Sequence, residues 1–463
     1  MISDNFRREL RSQAQLWQAE GLIDSSLYQQ LSDRYQFNEL ETASRNRFLT
    51  ILIGLGSILL GLGAITFVAA NWQVWSREAR VTLLLSLFVA VNAAGFYLWR
   101  IPPNKNSDRT QLALKGRPKL LGEGLLLLGA LILGANMALM AQMFHIGGSP
   151  SGLYLTWGVG VLGMAYSLRL TSLGVLSAIL IGVGYQLGAG SWSSEVEFSW
   201  LQILVKLMPL AASLMFIPLA YWCRSRVIFA IGTILIIVSL QVSIGQSFNT
   251  SWGAAFFFAL SPALLWGYDD TIWPQIHSRM FQFISRGLAL LYLAGLFYIL
   301  SFYWIWENWS KSPSDPPDLF VLVNVAVFGA FAVFEWLHLA RFELRRQPRG
   351  RSLNSSAIGV LILTSALIPL CHLNFTPIPQ LATFLFNVLL FLLGVGSIRE
   401  GLALGNRQSF WVGMVLIALQ IISRLFEYNT ELLLKSFVFV LCGIGIIAAG
   451  LWFERHFANI KNE

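Results

Sequence analysis

Glu335 and His338 form a Glu-x-x-His spacing in an apolar segment, and di-iron carboxylate bundles use this spacing. Such a metal site needs a second copy of the motif and two further carboxylates on facing helices, and the sequence supplies neither. The chain also contains no HExxH, GxSxG or CxxC motif, and Cys223, Cys371 and Cys442 fall in different segments. We therefore expect no metal site, no cofactor and no disulfide. The sequence favours a non-enzymatic function without deciding the question.

Glu123, Lys206 and Glu335 are the ionisable residues that lie deepest in the apolar segments. Charged side chains are costly in hydrocarbon, so they face a protein interior or water, or they extend to the interface. Lys206 lies about six residues inside its segment, roughly 9 Å at helical rise, so its long side chain can reach the headgroups. For Glu123 and Glu335 we expect ion pairs near helix ends, and a proton relay stays open as the alternative.

A group of polar residues is expected at the outer ends of several apolar segments. Because the directions of these segments place them at one membrane surface, the residues form a candidate site at the mouth of a cavity. The alternative is a set of helix caps and loop hydrogen bonds. The residues of this outer cluster are Asn71, Gln142, His145, Arg424 and Glu427.

Apolar segments dominate the chain and identify its class. Of the 463 residues, 56% are hydrophobic and 12% are charged, whereas a soluble protein carries about 25% charged residues. A hydrocarbon core of about 30 Å requires about 20 apolar residues in a helix. The sequence therefore predicts an all-α polytopic transmembrane bundle of about 14 spans. The predicted spans are 48–70, 79–99, 119–143, 151–168, 172–188, 200–221, 226–243, 252–267, 284–306, 319–340, 354–372, 379–398, 408–423 and 434–453.

Basic residues indicate the orientation of these spans. Arg and Lys concentrate in every second loop, as in residues 100–119 and 341–351, and the intervening loops carry few of them. The positive-inside rule then places both termini in the cytoplasm. The net charge of +8 follows from this topology, so membrane lipids are expected partners and nucleic acid is not. The sequence leaves the oligomeric state open.

The polar residues 1–47 are predicted to form a cytoplasmic domain, followed by the transmembrane bundle at 48–453 and a cytoplasmic tail at 454–463. No cleavable signal peptide is expected in this first domain. Two short helices should form a hairpin, with Gly21 ending the first and Asp24 or Ser25 capping the second. Six arginines are balanced by seven acidic residues, so no basic surface is available for DNA. A contact module for a protein partner is the favoured interpretation.

Glycines recur with the spacing G-x-G-x4-G in four of the predicted spans. Residues seven apart share a helix face, so pairs such as Gly122 and Gly129 allow a neighbouring helix to approach closely. The spacing indicates either an internal repeat of helical pairs or the chance pattern of a glycine-rich apolar chain. The four copies are Gly54/Gly56/Gly61, Gly122/Gly124/Gly129, Gly394/Gly396/Gly401 and Gly443/Gly445/Gly450.

Four stretches of the chain resemble the bacterial membrane protein family called domain of unknown function 2157. The resemblance is specific in the first 160 residues and the last 60. It implies that the spans lie in a bacterial inner (cytoplasmic) or internal membrane. It implies that Asn71, Gln142, His145, Trp157, Arg424 and Glu427 are family-pattern positions, although the pattern has Asp where this chain has Glu427. The stretches are residues 16–23 with Tyr35, Val68-Ala69-Ala70-Asn71-Trp72, residues 135–148 with Trp157, and residues 410–439.

Two functions are compatible with these features. The number of spans and the outer cluster favour transport or lipid handling through an outer-facing cavity. The N-terminal hairpin and the close-packing glycines favour a membrane-embedded assembly or scaffold factor that acts through protein contacts. A water-accessible cavity would support the first function, and a solid core would support the second.

Overall fold

The computed structural model describes most of the chain. The described residues form helices joined by turns and short loops, with no strand among them, and this confirms the predicted all-α class. The chain divides into two compact units, residues 1–147 and 148–463. The described residues are 4–35, 56, 59, 66, 70, 75–100, 117–190, 200–248, 250–272, 280–307, 309, 318–345, 355–375, 377–427 and 431–462.

The first unit contains four described helices. They are α1 (Asp4–Ala19), α2 (Ser25–Tyr35), α3 (Arg77–Arg100) and α4 (Arg117–Met143). Gly21 adopts a left-handed φ of 74° just after α1, and Asp24 Oδ1 accepts a hydrogen bond from the backbone nitrogen of Leu27 at 2.8 Å. These are the predicted stop and cap of the two N-terminal helices. The cytoplasmic location of this domain stays a prediction, and so do the other domain boundaries.

The second unit contains thirteen described helices. The first seven are α5 (Pro150–Leu168), α6 (Thr171–Ala189), α7 (Trp200–Lys206), α8 (Met208–Cys223), α9 (Arg226–Gly245), α10 (Ser251–Gly267) and α11 (Gln282–Leu300). The remaining six are α12 (Tyr303–Glu307), α13 (Leu319–Arg345), α14 (Ser355–Asn374), α15 (Pro379–Leu404), α16 (Arg407–Glu427) and α17 (Leu432–Asn462). A short 3-10 turn at Asp270–Ile272 follows α10.

Within the described part of the chain, nine helices are long and apolar enough to cross a membrane. They are α3, α4, α6, α9, α11, α13, α14, α15 and α16, and shorter apolar stretches occur in α8, α10 and α17. The described residues do not confirm the predicted count of about 14, and the predicted span 48–70 lies outside them apart from four isolated positions. Multiple candidate spans nevertheless make this a membrane protein.

Two predicted spans are each divided into two helices. Span 200–221 breaks at Leu207, which precedes α8 and its Pro209. Span 284–306 breaks at Ser301 and Phe302, between α11 and α12. Trp306 stabilises this second break, because its ring is 1% exposed and its indole nitrogen donates to the carbonyl of Leu300 at 2.7 Å. The break places the carboxyl end of α11 next to Arg424, in the polar site described below.

Glycines allow the closest helix contacts, as predicted for the spans containing Gly122 and Gly401. A Cβ built on Gly122 would lie 2.5 Å from the backbone nitrogen of Trp99 in α3. A Cβ on Gly129 would lie 2.5 Å from the amide group of Asn92, two turns further along the same pair of helices. The helix that packs on the glycine face of α4 is therefore α3, the second predicted span.

Reporter fusions test the predicted orientation. Fusions after Lys115 and Arg349 are expected to report the cytoplasm, because these positions follow predicted inward crossings in basic loops. Fusions after Ser193 and Ser314 are expected to report the outer side. A cytoplasmic reporter such as β-galactosidase and an exported one such as alkaline phosphatase give the two readings. An external reading at either basic loop would contradict the predicted orientation.

Candidate functional site: the Arg424 cavity

Three helix ends meet around Arg424. Helix α11 ends at Leu300, α15 begins at Pro379, and Arg424 lies in the last turn of α16. Proline is favoured at the start of α15, because a backbone N–H at that position of a helix has no intrahelical partner and nothing is lost when proline lacks it. A cation in the last turn of α16 is favoured by the partial negative charge at the carboxyl end of a helix.

Arg424 is fixed by contacts with the break between α11 and α12. One terminal nitrogen, Nη1, donates to the carbonyl of Ser301 at 2.7 Å and forms an ion pair with Glu427. The guanidinium carbon lies 4.3 Å from the centre of the Phe302 ring. Glu427 Oε1 also accepts a hydrogen bond from the backbone nitrogen of Tyr303 at 2.7 Å. The pair therefore binds both sides of the break, the carbonyl of Ser301 just after α11 and the first amide of α12.

A layer of amide side chains lies deeper along the same helices. Asn387 Nδ2 donates to the carbonyls of Ser301 and Thr383 at 3.1 and 2.8 Å. Gln420 Nε2 donates to the carbonyl of Asn387 at 2.8 Å. Asn387 lies eight residues after Pro379, which is about 12 Å at the rise of an α-helix. The polar network thus extends from the helix ends into the predicted spans and ties α11, α15 and α16 together.

A cavity of about 550 Å³ adjoins this network, and we call it the Arg424 cavity. A volume in this range is typical of sites that hold small molecules. In two of the lining residues a buried atom, Arg424 Nε and Thr383 Oγ1, has no hydrogen-bond partner among the described residues. The wall therefore combines a cation, amides and a hydroxyl with aromatic surface. The lining residues are Tyr303, Gln380, Thr383, Phe384, Asn387 and Arg424.

The outer cluster predicted from the sequence is placed only in part. Arg424 and Glu427 form an ion pair in the second unit, whereas Gln142 and His145 are exposed at and after the end of α4 in the first unit. Asn71 lies outside the described residues. The proximity of Asn71, Gln142 and His145 therefore stays a prediction.

The three predicted intramembrane charges have different surroundings. Lys206 Nζ lies 2.8 Å from Asp318 Oδ2, which agrees with a side chain that extends toward the predicted outer surface. Glu123 is half-buried in α4. Glu335 is 1% exposed in α13. Among the residues that the structure describes, neither glutamate has an ion-pair partner, so the expected helix-end ion pairs are not found there.

The residues missed in the sequence are Ser301, Thr383, Asn387 and Gln420. A usable signal was present, because Asn387 and Gln420 are amide side chains inside the predicted apolar spans 379–398 and 408–423. Polar side chains in such spans commonly form hydrogen bonds between helices. The partner carbonyl of Ser301 could not be identified, because it is 86 residues from Asn387 in the chain.

The fold and this network define an all-α polytopic membrane protein with polar contacts between its helices. Residues 15–174 match the model of the family described as "Predicted membrane protein (DUF2157)". The predicted family resemblance is therefore confirmed over this part of the chain, which includes Gln142, His145 and Trp157. The match does not extend to Arg424 and Glu427. No curated protein and no solved structure matches the chain.

Proposed function

We propose that this protein handles a lipid or similar amphiphile and that the Arg424 cavity holds the anionic headgroup. The observation that carries the proposal is the presence of Arg424 among the residues that line a cavity of about 550 Å³. Arginine suits such a role, because its planar fork of five N–H donors matches the oxygens of a phosphate group. The resulting function belongs to transport or lipid handling through a cavity on the predicted outer side.

Two residues that line the cavity have hydrogen-bonding capacity that the described contacts do not use. The described contacts of the guanidinium use Nη1 and Nη2, since Nη2 donates to Ser301 Oγ at 3.3 Å, and they leave Nε without a partner among the described residues. Thr383 Oγ1 is in the same situation. Buried polar groups in proteins are generally hydrogen-bonded. Each of these two lining residues therefore retains a polar atom that no described residue uses.

The rim of the cavity is apolar and exposed. Phe384 is 63% exposed, and the neighbouring Leu381 is 51% exposed, both in the first turns of α15. Because α15 is a candidate membrane span, these exposed apolar side chains face the region that lipid occupies. An acyl chain can lie along this rim while its headgroup enters the polar cavity.

The depth of the cavity favours binding from one leaflet. Asn387 is the lining residue furthest from the start of α15, at about 12 Å along the helix. A hydrocarbon core is about 30 Å thick, so this depth stays within the nearer half. A headgroup at this level would have its acyl chains beside the same half of the bundle.

A scaffold function is the second candidate, and the N-terminal helices support it. Leu22 and Leu27 are 69% and 44% exposed, and Leu16 and Trp17 are 51% and 37% exposed. Apolar side chains of this size on α1, α2 and the turn between them offer contact area for a protein partner. Binding at the hairpin and binding at the Arg424 cavity concern separate parts of the chain.

Lipid binding by Arg424 variants tests the first proposal. The full chain in detergent is titrated with phosphatidylglycerol and with phosphatidylcholine, and bound lipid is counted by native mass spectrometry. Hydrogen bonds to charged groups contribute about 1.5–3 kcal/mol, and 1.4 kcal/mol corresponds to tenfold in affinity. Arg424→Gln is therefore expected to weaken phosphatidylglycerol binding about tenfold or more. Thr383→Val, which keeps the shape of the side chain, should give a smaller loss.

The matched control is Lys206→Gln. Lys206 forms an ion pair with Asp318 and does not line the cavity. The substitution therefore removes one positive charge from the protein without changing the Arg424 cavity. Phosphatidylglycerol binding by Lys206→Gln should match that of the wild type. The proposal would be contradicted if Arg424→Gln and the wild type bind phosphatidylglycerol with equal affinity while size-exclusion chromatography shows that the variant is folded. A loss that Lys206→Gln reproduces would indicate an unspecific effect of net charge.

A further inference from the structure

Glu335 is a carboxylic acid enclosed by three helices of the second unit. It lies in α13, is 1% exposed, and packs against Gly267 at the end of α10. A Cβ built on Gly267 would lie 3.0 Å from Glu335 Cβ and 3.1 Å from Oε2. The absence of a side chain at Gly267 therefore leaves the space that the carboxyl group occupies.

The neighbouring Trp336 closes the packing around this position. Its indole nitrogen donates to the carbonyl of Ala263 in α10 at 3.0 Å. A Cβ on Gly359 in α14 would lie 3.0 Å from the Trp336 ring. Helices α10, α13 and α14 thus meet at a seam of two glycines and one tryptophan, and the carboxyl group is held inside it.

No described residue neutralises this carboxyl group. Oε2 is buried and has no hydrogen-bond partner among the described residues, and the same part of the chain offers it no ion pair. Helix α10 contains no titratable side chain. The ionisable groups on or next to the packed helices have other contacts. Arg286 in α11 lies over the Trp266 ring, and His338 in α13 lies near the Phe334 ring. His372 in α14 contacts the carbonyl of Trp309, and Asp270 after α10 accepts hydrogen bonds from the backbone nitrogens of Phe281 and Gln282.

An ionised carboxylate in these surroundings would be very costly. Moving a charge out of water without a partner costs many kcal/mol, and the usual outcome is that the group stays neutral. We propose that Glu335 is a proton-binding site, and that its carboxyl group carries a proton while α10, α13 and α14 are packed as observed. The proton leaves when water reaches the seam at Gly267, because only then is the carboxylate solvated.

The position of Glu335 in α13 indicates the side of exchange. It lies six residues before Arg341, about 9 Å at helical rise, and sixteen residues after Leu319, about 24 Å. Water therefore reaches the carboxyl group more readily from the Arg341 end, which the basic loops assign to the cytoplasm. This site does not depend on the Arg424 cavity, so each proposal can fail without the other.

Infrared spectroscopy of the full chain tests the protonation state. The carbonyl stretch of a protonated carboxyl group is separate from the bands of an ionised carboxylate. The difference spectrum between wild type and Glu335→Gln at neutral pH is expected to show a protonated-carboxyl band that only the wild type carries. The matched control is Glu123→Gln, which replaces a half-buried glutamate in α4 and should leave the protonated-carboxyl band of Glu335 in place.

Two results would overturn the proposal. The first is that Glu335→Gln at neutral pH lacks an ionised-carboxylate band of the wild type but lacks no protonated-carboxyl band. The other is a failure of Glu335→Gln to fold, because glutamine has the size and neutrality of the protonated side chain and should fit the same seam. A folded Glu335→Gln protein with the expected difference band supports the proposal, whatever lipid the Arg424 cavity binds.

Discussion

Gly401→Val is expected to abolish most of the folded protein. A Cβ built on Gly401 would lie 2.5 Å from the backbone nitrogen of Phe410 and 2.7 Å from its Cα. On the opposite helix, a Cβ on Gly413 would lie 2.5 Å from the carbonyl oxygen of Gly394. Helices α15 and α16 are therefore in backbone contact at both ends of a seven-residue glycine face. Valine cannot be accommodated by side-chain rotation alone.

The expected size of this effect follows from the atoms that clash. Extra methyl groups in a packed core cost about 1–3 kcal/mol when side chains can shift, and here the neighbouring atoms belong to a helix backbone. We expect a loss of more than about 3 kcal/mol, measured as a lower thermal unfolding midpoint and a several-fold lower yield of monodisperse protein. The Arg424 cavity should be lost as well, because α15 and α16 supply five of its six lining residues.

Gly443→Val is the matched control. Gly443 belongs to another copy of the same glycine spacing, in α17, and a Cβ built on it meets nothing within 4 Å. The same substitution should therefore leave yield and unfolding midpoint close to those of the wild type. If the two variants are equally destabilised, the close approach of α15 and α16 does not explain the effect, and a general intolerance of valine in these spans does.

These glycines show how far the sequence predicts helix packing. The spacing correctly indicates close approach for Gly122 with Gly129 and for Gly394 with Gly401. The same spacing in α17 gives open space around Gly443 and Gly445. A glycine face is a local property, whereas its occupation depends on which other helix packs there. That choice is decided by the whole bundle and is not encoded in the spacing.

The boundaries of the helices follow from apolarity, with differences that have physical causes. Predicted span 119–143 agrees closely with α4, whereas predicted span 379–398 ends six residues before α15 does. Helix α15 continues through polar residues to Gly405, whose left-handed φ of 62° ends it. Hydrophobicity indicates where a helix enters lipid, and local backbone chemistry determines where the helix stops.

The candidate site was predictable only where its partners are close in sequence. Arg424 and Glu427 are three residues apart on one helix, so their pairing follows from helical periodicity. The contact of Arg424 with Ser301 joins residues 123 apart, and it depends on the break between α11 and α12. Apolar patterning predicted a continuous span across this break, because Trp306 and Ile305 continue the apolar pattern after it.

Asp270 provides a second case of a structural role that the apolar pattern did not reveal. The carboxylate is fully buried, and Oδ2 accepts hydrogen bonds from the backbone nitrogens of Phe281 and Gln282 at 2.9 and 3.1 Å. These amides belong to the start of α11, where no local side chain provides a cap. The other oxygen accepts a hydrogen bond from the hydroxyl of Tyr221. Asp270 thus caps α11 from eleven residues upstream and connects it to α8.

Asp270→Ala is therefore expected to destabilise the protein by about 3 kcal/mol or more. The substitution leaves two helix amides and one tyrosine hydroxyl without their acceptor, and it removes a negative charge from a helix amino end. The adjacent Asp269→Ala is the matched control, because Asp269 is 2% exposed and its carboxylate accepts one hydrogen bond among the described residues, from the backbone nitrogen of Thr271 at 3.0 Å. Its loss should cost only about 1 kcal/mol. Unfolding midpoints of the two variants in the same detergent measure the difference. Equal midpoints would mean that the amides of α11 find other acceptors when Asp270 is absent, and that the start of α11 is not held by this carboxylate.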